Sequence, residues 1–308
     1  MWNRPESVFI KNLNTFIHLE NTLIMPTRKT LQLPDIELSY LEWQPETGKE
    51  KVPRLLLLHG LADSACVWTS FGNYLSNRYH IVAPDMRGHG ESSKPKTGYT
   101  FKSAIADLEA LMAHLNWPDA HILGHSWTGK LAPIWARQNP DRFCSMILVD
   151  PIFITKLPAA LKLTLPIVYR RLDCLKCVGP FATLSQAEAA AKQSGEYADW
   201  SDVQQMVFQR QIEQKSDGSW GSKFAIAARN QIFAEVMKVA GLTENIEIQT
   251  LFVQPEKGVN RMDWQMQPYK RYLKNLTVAK VPGNHWCFLT QPETFNQTVA
   301  DFLEGTRQ

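Results

Sequence analysis

Ile122-Leu123-Gly124-His125-Ser126-Trp127-Thr128-Gly129-Lys130 passes from an apolar run into a helix-forming stretch that ends near Asn139-Pro140, with a serine at the join. So abrupt a turn holds the serine in strained backbone geometry, and small residues must flank it because strand and helix pass close together. The serine oxygen is lifted clear of the sheet. It also sits at a helix N-terminus, where unpaired N–H groups and the helix dipole favour negative charge. Thr128 is small but β-branched and is expected to crowd the turn, with Gly129 relieving it. Pro133 removes one backbone bond from the helix and is expected to bend its axis.

Working outward, Leu55-Leu56-Leu57-Leu58 is a continuous apolar run, as expected of a parallel strand covered on both faces. Similar runs occur at 81–83, 121–123, 146–149, 250–253 and 276–279, with helix-period segments such as Phe101 to Leu115 and Glu293 to Leu303 between and after them. That alternation predicts an α/β fold with a doubly wound, mostly parallel sheet. At its edge, the runs 29–33 and 36–43 around Pro34-Asp35 predict a hairpin. The alternation fails between about 152 and 245, where the chain is helix-rich without a comparable strand run. We therefore expect a core over 29–151 and 246–308 and a helical cap over 152–245. Residues 1–28 carry Phe9, Leu13, Phe16, Ile17 and Ile24 at helical spacing, predicting an amphipathic arm. Such an arm docks on the main body or serves as an interfacial or dimer-forming element, so a homodimer is an open expectation.

The 308 residues suffice to bury roughly three quarters of the unfolded surface in one large core. Lys+Arg 33 against Asp+Glu 30 leaves a net charge of +3, too even for nucleic-acid binding. No apolar stretch is long enough for a membrane span, and no secretory leader is evident, so the expected address is cytoplasmic. Cys66, Cys144, Cys174, Cys177 and Cys287 are an odd, scattered set that suits reduced thiols. Cys174-x-x-Cys177 has no second ligand pair to make a metal site.

Two upstream segments join the serine turn. Leu56-Leu57-Leu58-His59-Gly60-Leu61 has Trp68 downstream, and Ala83-Pro84-Asp85-Met86-Arg87-Gly88-His89-Gly90-Glu91-Ser92 follows. In order and spacing these are similar to signatures of the α/β-hydrolase superfamily. The serine turn resembles its nucleophile elbow, G-x-S-x-G, with Gly124 and Ser126 in register and Thr128 departing from the second glycine. The resemblance runs over residues 36–151 and 248–304 and is weak inside the proposed cap.

A neutral hydroxyl needs a base, and of eight histidines His285, in Val281-Pro282-Gly283-Asn284-His285-Trp286, best resembles the family's base in its place after the last strand run. His59 and His89 are expected to order loops by bonding nearby backbone, and His125 to point inward. The resemblance implies an oxyanion hole from the backbone N–H groups of Leu61 and Trp127, with Trp68 and Trp127 walling the pocket. The acid that orients the base is missing from its usual turn: Gln254-Pro255-Glu256-Lys257-Gly258 has glycine where relatives carry aspartate. Some family members take the acid from the end of the preceding strand, which here is Asp150. The alternatives are Glu256 and Asp263, a dyad, or an inactive site, with Asp150 as a strand-end cap.

The resemblance implies a serine hydrolase acting on a carboxylic ester or related carbonyl compound through an acyl-serine intermediate, with neither metal nor organic cofactor. The expected partner is a small-molecule substrate with an apolar portion, which Tyr169, Phe208, Trp220 and Phe224 would meet unless they pack the cap on the sheet. Serine at the elbow argues against the dehalogenase and epoxide-hydrolase branches, which use aspartate. The same scaffold also supports C–C bond hydrolysis, a lyase, a cofactor-free peroxidase, or a non-catalytic binding protein.

Overall fold

In the computed structural model, which describes residues 26–45, 52–158, 160 and 173–306, the apolar runs become strands: β3 (Arg54–Leu58), β4 (His80–Pro84), β5 (Ala120–His125), β6 (Phe143–Val149), β9 (Thr250–Lys257) and β10 (Leu276–Asn284). They pair in parallel, and β2 (Glu37–Trp43) joins β4 antiparallel, carrying β1 (Thr27–Gln32) at the edge. The order is β1-β2-β4-β3-β5-β6-β9-β10. The edge hairpin starts at Thr27, two residues earlier than the sequence pattern places it.

Successive side chains of a strand point to opposite faces, so a run of apolar residues feeds two cores at once. Leu56, Leu58, Ile122, Leu148 and Phe252 pack with Leu108 and Trp135 of helices Phe101–His114 and Trp127–Gln138. Leu55, Leu57, Leu123, Val149 and Val253 pack on the other face with Phe71, Phe295 and Leu303 of helices Thr69–Leu75 and Pro292–Gly305. The helix after Ser126 continues across Pro133.

The segment between β6 and β9 carries helices Leu184–Ala191, Asp202–Gln211 and Ile226–Lys238. It also holds a strand pair missed in the sequence, β7 (Ile212–Gln214) with β8 (Trp220–Ser222), closed by a turn in which Gly218 takes φ 83°. Strands of three residues are too short for alternation to show. Of the two roles expected for its aromatics, three take the packing one: Phe208 packs on Tyr197 and Trp200, Phe224 on His89, and Trp220 against the core. Tyr169 and the apolar residues of the N-terminal arm lie outside the described residues. Among the described residues, no helix is long and apolar enough to cross a membrane.

Candidate active site

Because β3, β5, β6, β9 and β10 run in parallel, the residues following them gather at one edge of the sheet, and each candidate group comes from such an end. Ser126, directly after β5, has φ 58° and ψ −114°. A non-glycine residue in that region is strained and persists only where its surroundings hold it. The Ser126 N–H donates to the Val149 carbonyl (3.0 Å), and the Ser126 carbonyl accepts from Ile152 N–H (3.1 Å). A Cβ on Gly124 would lie 2.5 Å from the Thr128 carbonyl, so glycine is required there.

Thr128 does not crowd the turn. Its hydroxyl accepts the His125 N–H (2.9 Å) and lies 2.8–3.1 Å from the carbonyls of His125, Leu58 and His59, donating to one at a time. The β-branched residue is accommodated because its oxygen satisfies buried backbone that a second glycine would leave to others. The close approach is borne by Gly129, whose Cβ would meet the Gly124 carbonyl at 3.0 Å.

His285, just past β10, points Nδ1 at Asp150 Oδ2, 2.6 Å away. Asp150 is fully buried with φ 41°, and its carboxylate also accepts the N–H groups of Val259 (2.8 Å) and Asn260 (3.1 Å) and the Asn260 side-chain amide (3.0 Å). Burial opposes its charge, yet the hydrogen bond and charge of His285, with these amides, hold the carboxyl below its ordinary range. Glu256 and Asp263 are exposed. Gly258 explains why the usual turn has no acid: a Cβ there would sit 2.6 Å from Asp150 Oδ2. The carboxylate and the missing side chain occupy one place.

His125 is buried behind the site, with its Nε2 3.0 Å from the His285 carbonyl and its ring 4.5 Å from the His285 ring. Ser126 and His285 are therefore tied together through adjacent residues on both sides: 125 to 285, and 149–150 to both. His59 donates from Nδ1 to the Gly60 carbonyl (2.7 Å) and accepts Met86 N–H on Nε2 (2.9 Å), so the ring is neutral. Burial pushes its pKa down. His89 lies 3.0 Å from the Arg87 carbonyl, and burial pushes it well down too.

Ser126 and His285 line one cavity of about 270 Å³, together with Leu61 and Trp127. Ile152, Ile232, Phe233 and Val236 form an apolar wall from the segment after β6, and Asp63 and Asn284 supply polar edges. Trp68 is not part of it: the ring is fully buried, 4.5 Å from Phe288, on the face of the sheet covered by helices Thr69–Leu75 and Pro292–Gly305. Its position after the first loop suggested a pocket wall, but the short helix Ala65–Trp68 turns it into the core. Asn260 and Asp63 were missed. Asn260 carries no sequence signal beyond its nearness to Gly258, while Asp63 follows His59-Gly60 and was open to inspection. Cys66 is a buried thiol that burial pushes up to about 12, and the Cys174 side chain lies outside the described residues.

The family model described as alpha/beta hydrolase fold matches residues 53–172. A soluble epoxide hydrolase of Corynebacterium sp. (strain C12) is 34% identical over 98 residues, 32% of this chain and 34% of that protein. At that identity the chain spans only about a third of its curated relative. A serine hydrolase-like protein of Danio rerio is 23% identical over 291 residues, covering 89% of this chain and 87% of its own. The crystal structure of E-2-(acetamidomethylene)succinate hydrolase superposes with a TM-score of 0.74 at 21% identity, covering 91% of this chain and 99% of that one.

Proposed function

We propose that this chain is a serine hydrolase of the α/β-hydrolase superfamily that cleaves a carboxylic ester or related carbonyl compound. The observation that carries the reading is the 2.6 Å bond from His285 to buried Asp150, with a strained serine in the same cavity. As the substrate carbonyl arrives, Ser126 Oγ forms the new C–O bond and its proton passes to His285 Nε2. Asp150 holds the Nδ1–H, which keeps Nε2 free to accept and stabilises the imidazolium that results. The backbone N–H groups of Leu61 and Trp127 receive the oxyanion; each such donor is typically worth ~10²–10³ in rate. His285 then returns the proton to the leaving oxygen as the C–O bond breaks, leaving an acyl-serine. Water repeats the sequence to release the acid.

The segment 152–245 acts in this reading as a cap, since Ile152, Ile232, Phe233 and Val236 wall the cavity. The test is labelling with a fluorophosphonate, which reacts with an activated serine. Wild type labels at neutral pH and Ser126→Ala does not; a wild type that stays unlabelled would falsify the proposal.

A further inference from the structure

At one end of the same cavity, where the loop after β3 meets the segment after β6, three buried side chains converge with too few hydrogens among them. They are Asp63, His125 and Glu196, exposed by 2%, 1% and 3%. The His285 carbonyl can only accept, so the His125 nitrogen facing it, Nε2, carries the ring hydrogen. Burial, with the nearby His285, pushes His125 down and keeps it neutral against the pull of Asp63. Nδ1 is then an acceptor, and it faces another acceptor, Asp63 Oδ2, at 3.6 Å. By distance and angle neither Asp63 oxygen, nor His125 Nδ1, nor Glu196 Oε1 has a well-formed hydrogen bond, though Glu196 also interacts with Asp63 and Tyr197, and His125 with Asp63. Burial and the Asp63 charge push Glu196 well above the ordinary carboxylate range, so it keeps its proton beside Asp63.

Asp63 and His125 line the cavity beside Ser126, and Glu196 stands behind them with Gln211 on a second, much smaller cavity. A group that answered this arrangement would bring several N–H donors and a positive charge. Its remaining length would lie on the apolar wall of Ile152, Ile232 and Val236. The other charged residue along the cavity, Lys257, is exposed, where solvent screens it.

We propose that Asp63, backed by Glu196 and His125, is a polar anchor for a cationic hydrogen-bond donor on the substrate: an alkylammonium carried at the end of an otherwise apolar chain. The ammonium supplies three N–H donors where Asp63 and His125 Nδ1 offer acceptors to the cavity end, and a hydroxyl supplies one. This rests on the serine-hydrolase reading above, and the experiment separates the two. Straight-chain boronic acids of four to seven carbons add reversibly to an activated serine. They are compared in matched sets ending in methyl, hydroxyl or ammonium, each measured by its protection of the protein from fluorophosphonate labelling.

At one chain length the ammonium member is expected to protect at concentrations roughly ten-fold lower than its methyl partner, the effect of one charge-assisted hydrogen bond. The ratio between the two should fall towards one in Asp63→Asn. The wild-type comparison stands even if that variant folds poorly. Protection by the methyl series with no ammonium preference at any length overturns the anchor and leaves the serine reading intact. Equal potency of hydroxyl and ammonium members overturns its cationic character. Absence of labelling in the wild type overturns both.

Discussion

Asp150 combines full burial, a left-handed backbone and four acceptor contacts, so its chemistry can be perturbed without touching the pocket itself. Asp150→Asn keeps the shape but presents an amide to His285, favouring the wrong tautomer. Turnover is expected to fall by about 10⁴ with little change in KM, measured on any ester the wild type accepts; a loss of only a few-fold would show that another group orients the base. The pH response follows from the sign of the shift. Asp150 titrates in the folded protein below its ordinary value of 3.8, so the unfolded chain takes up its proton first as pH falls. Its contribution to stability is complete well above pH 3.8 and is lost as pH drops through the lower folded value. Urea midpoints of wild type and Asp150→Asn should therefore converge below about pH 3.8. Gly258 is coupled to the same carboxylate by contact. Gly258→Ala places a methyl within 2.6 Å of Oδ2 and must displace it. A shift of this kind is expected to lower kcat on the order of 10²-fold while the protein still binds substrate, a split visible in kcat against KM.

Among the elements, what sequence discloses depends on how far each is buried. The inner parallel strands β3, β4, β5 and β6 are covered on both faces, so their apolar runs mark them without ambiguity, and the turn at Ser126 follows from one of those strands meeting a helix. The segment after β6 is harder because its strands are three residues long and its aromatics pack on one another. Trp68 was misplaced for a related reason: local pattern indicates an apolar residue after a loop, but the side of the sheet it joins is decided by Phe288 and Phe295, far along the chain. Lys130 is a tie that no pattern announces. It lies one turn past Ser126, fully buried, and its ammonium donates to the carbonyls of Phe153 (2.5 Å), Thr155 (3.3 Å) and Val236 (2.5 Å), clasping both ends of the inserted segment to the helix that carries the serine. Lys130→Met fits the space and leaves three carbonyls unpaired, at an expected cost of about 2 kcal/mol in unfolding free energy. Burial pushes this lysine from 10.5 down to about 7, so between those values the unfolded chain holds a proton that the folded one has released. Wild type should gain on Lys130→Met as pH rises from about 7 towards 10.5, measured by denaturant unfolding at the two ends of that window.

For the whole molecule, the edge that carries the candidate site was legible because parallel topology forces the ends of β3, β5, β6, β9 and β10 together, and a serine, a histidine and an aspartate at such ends must be neighbours. What topology cannot disclose is the wall opposite them. Glu196 meets Asp63, and Ile232 and Val236 meet the cavity, only through the path of the inserted segment, and no spacing in the chain encodes that path. If this segment sets specificity, its effect should be separable from the chemistry, because its residues touch the cavity and not the His285–Asp150 bond. Ile232 offers the test: it is 4% exposed, sits on helix Ile226–Lys238 and faces the cavity. Ile232→Ala removes three carbons from the wall. In a hydrophobic pocket one methylene typically discriminates by ~1–3 kcal/mol. The acyl length giving the highest kcat/KM in a series of straight-chain esters should therefore move upward by at least one carbon, while fluorophosphonate labelling of Ser126 continues. An optimum that stays where it was would place the acyl chain elsewhere and leave the inserted segment with no part in choosing it.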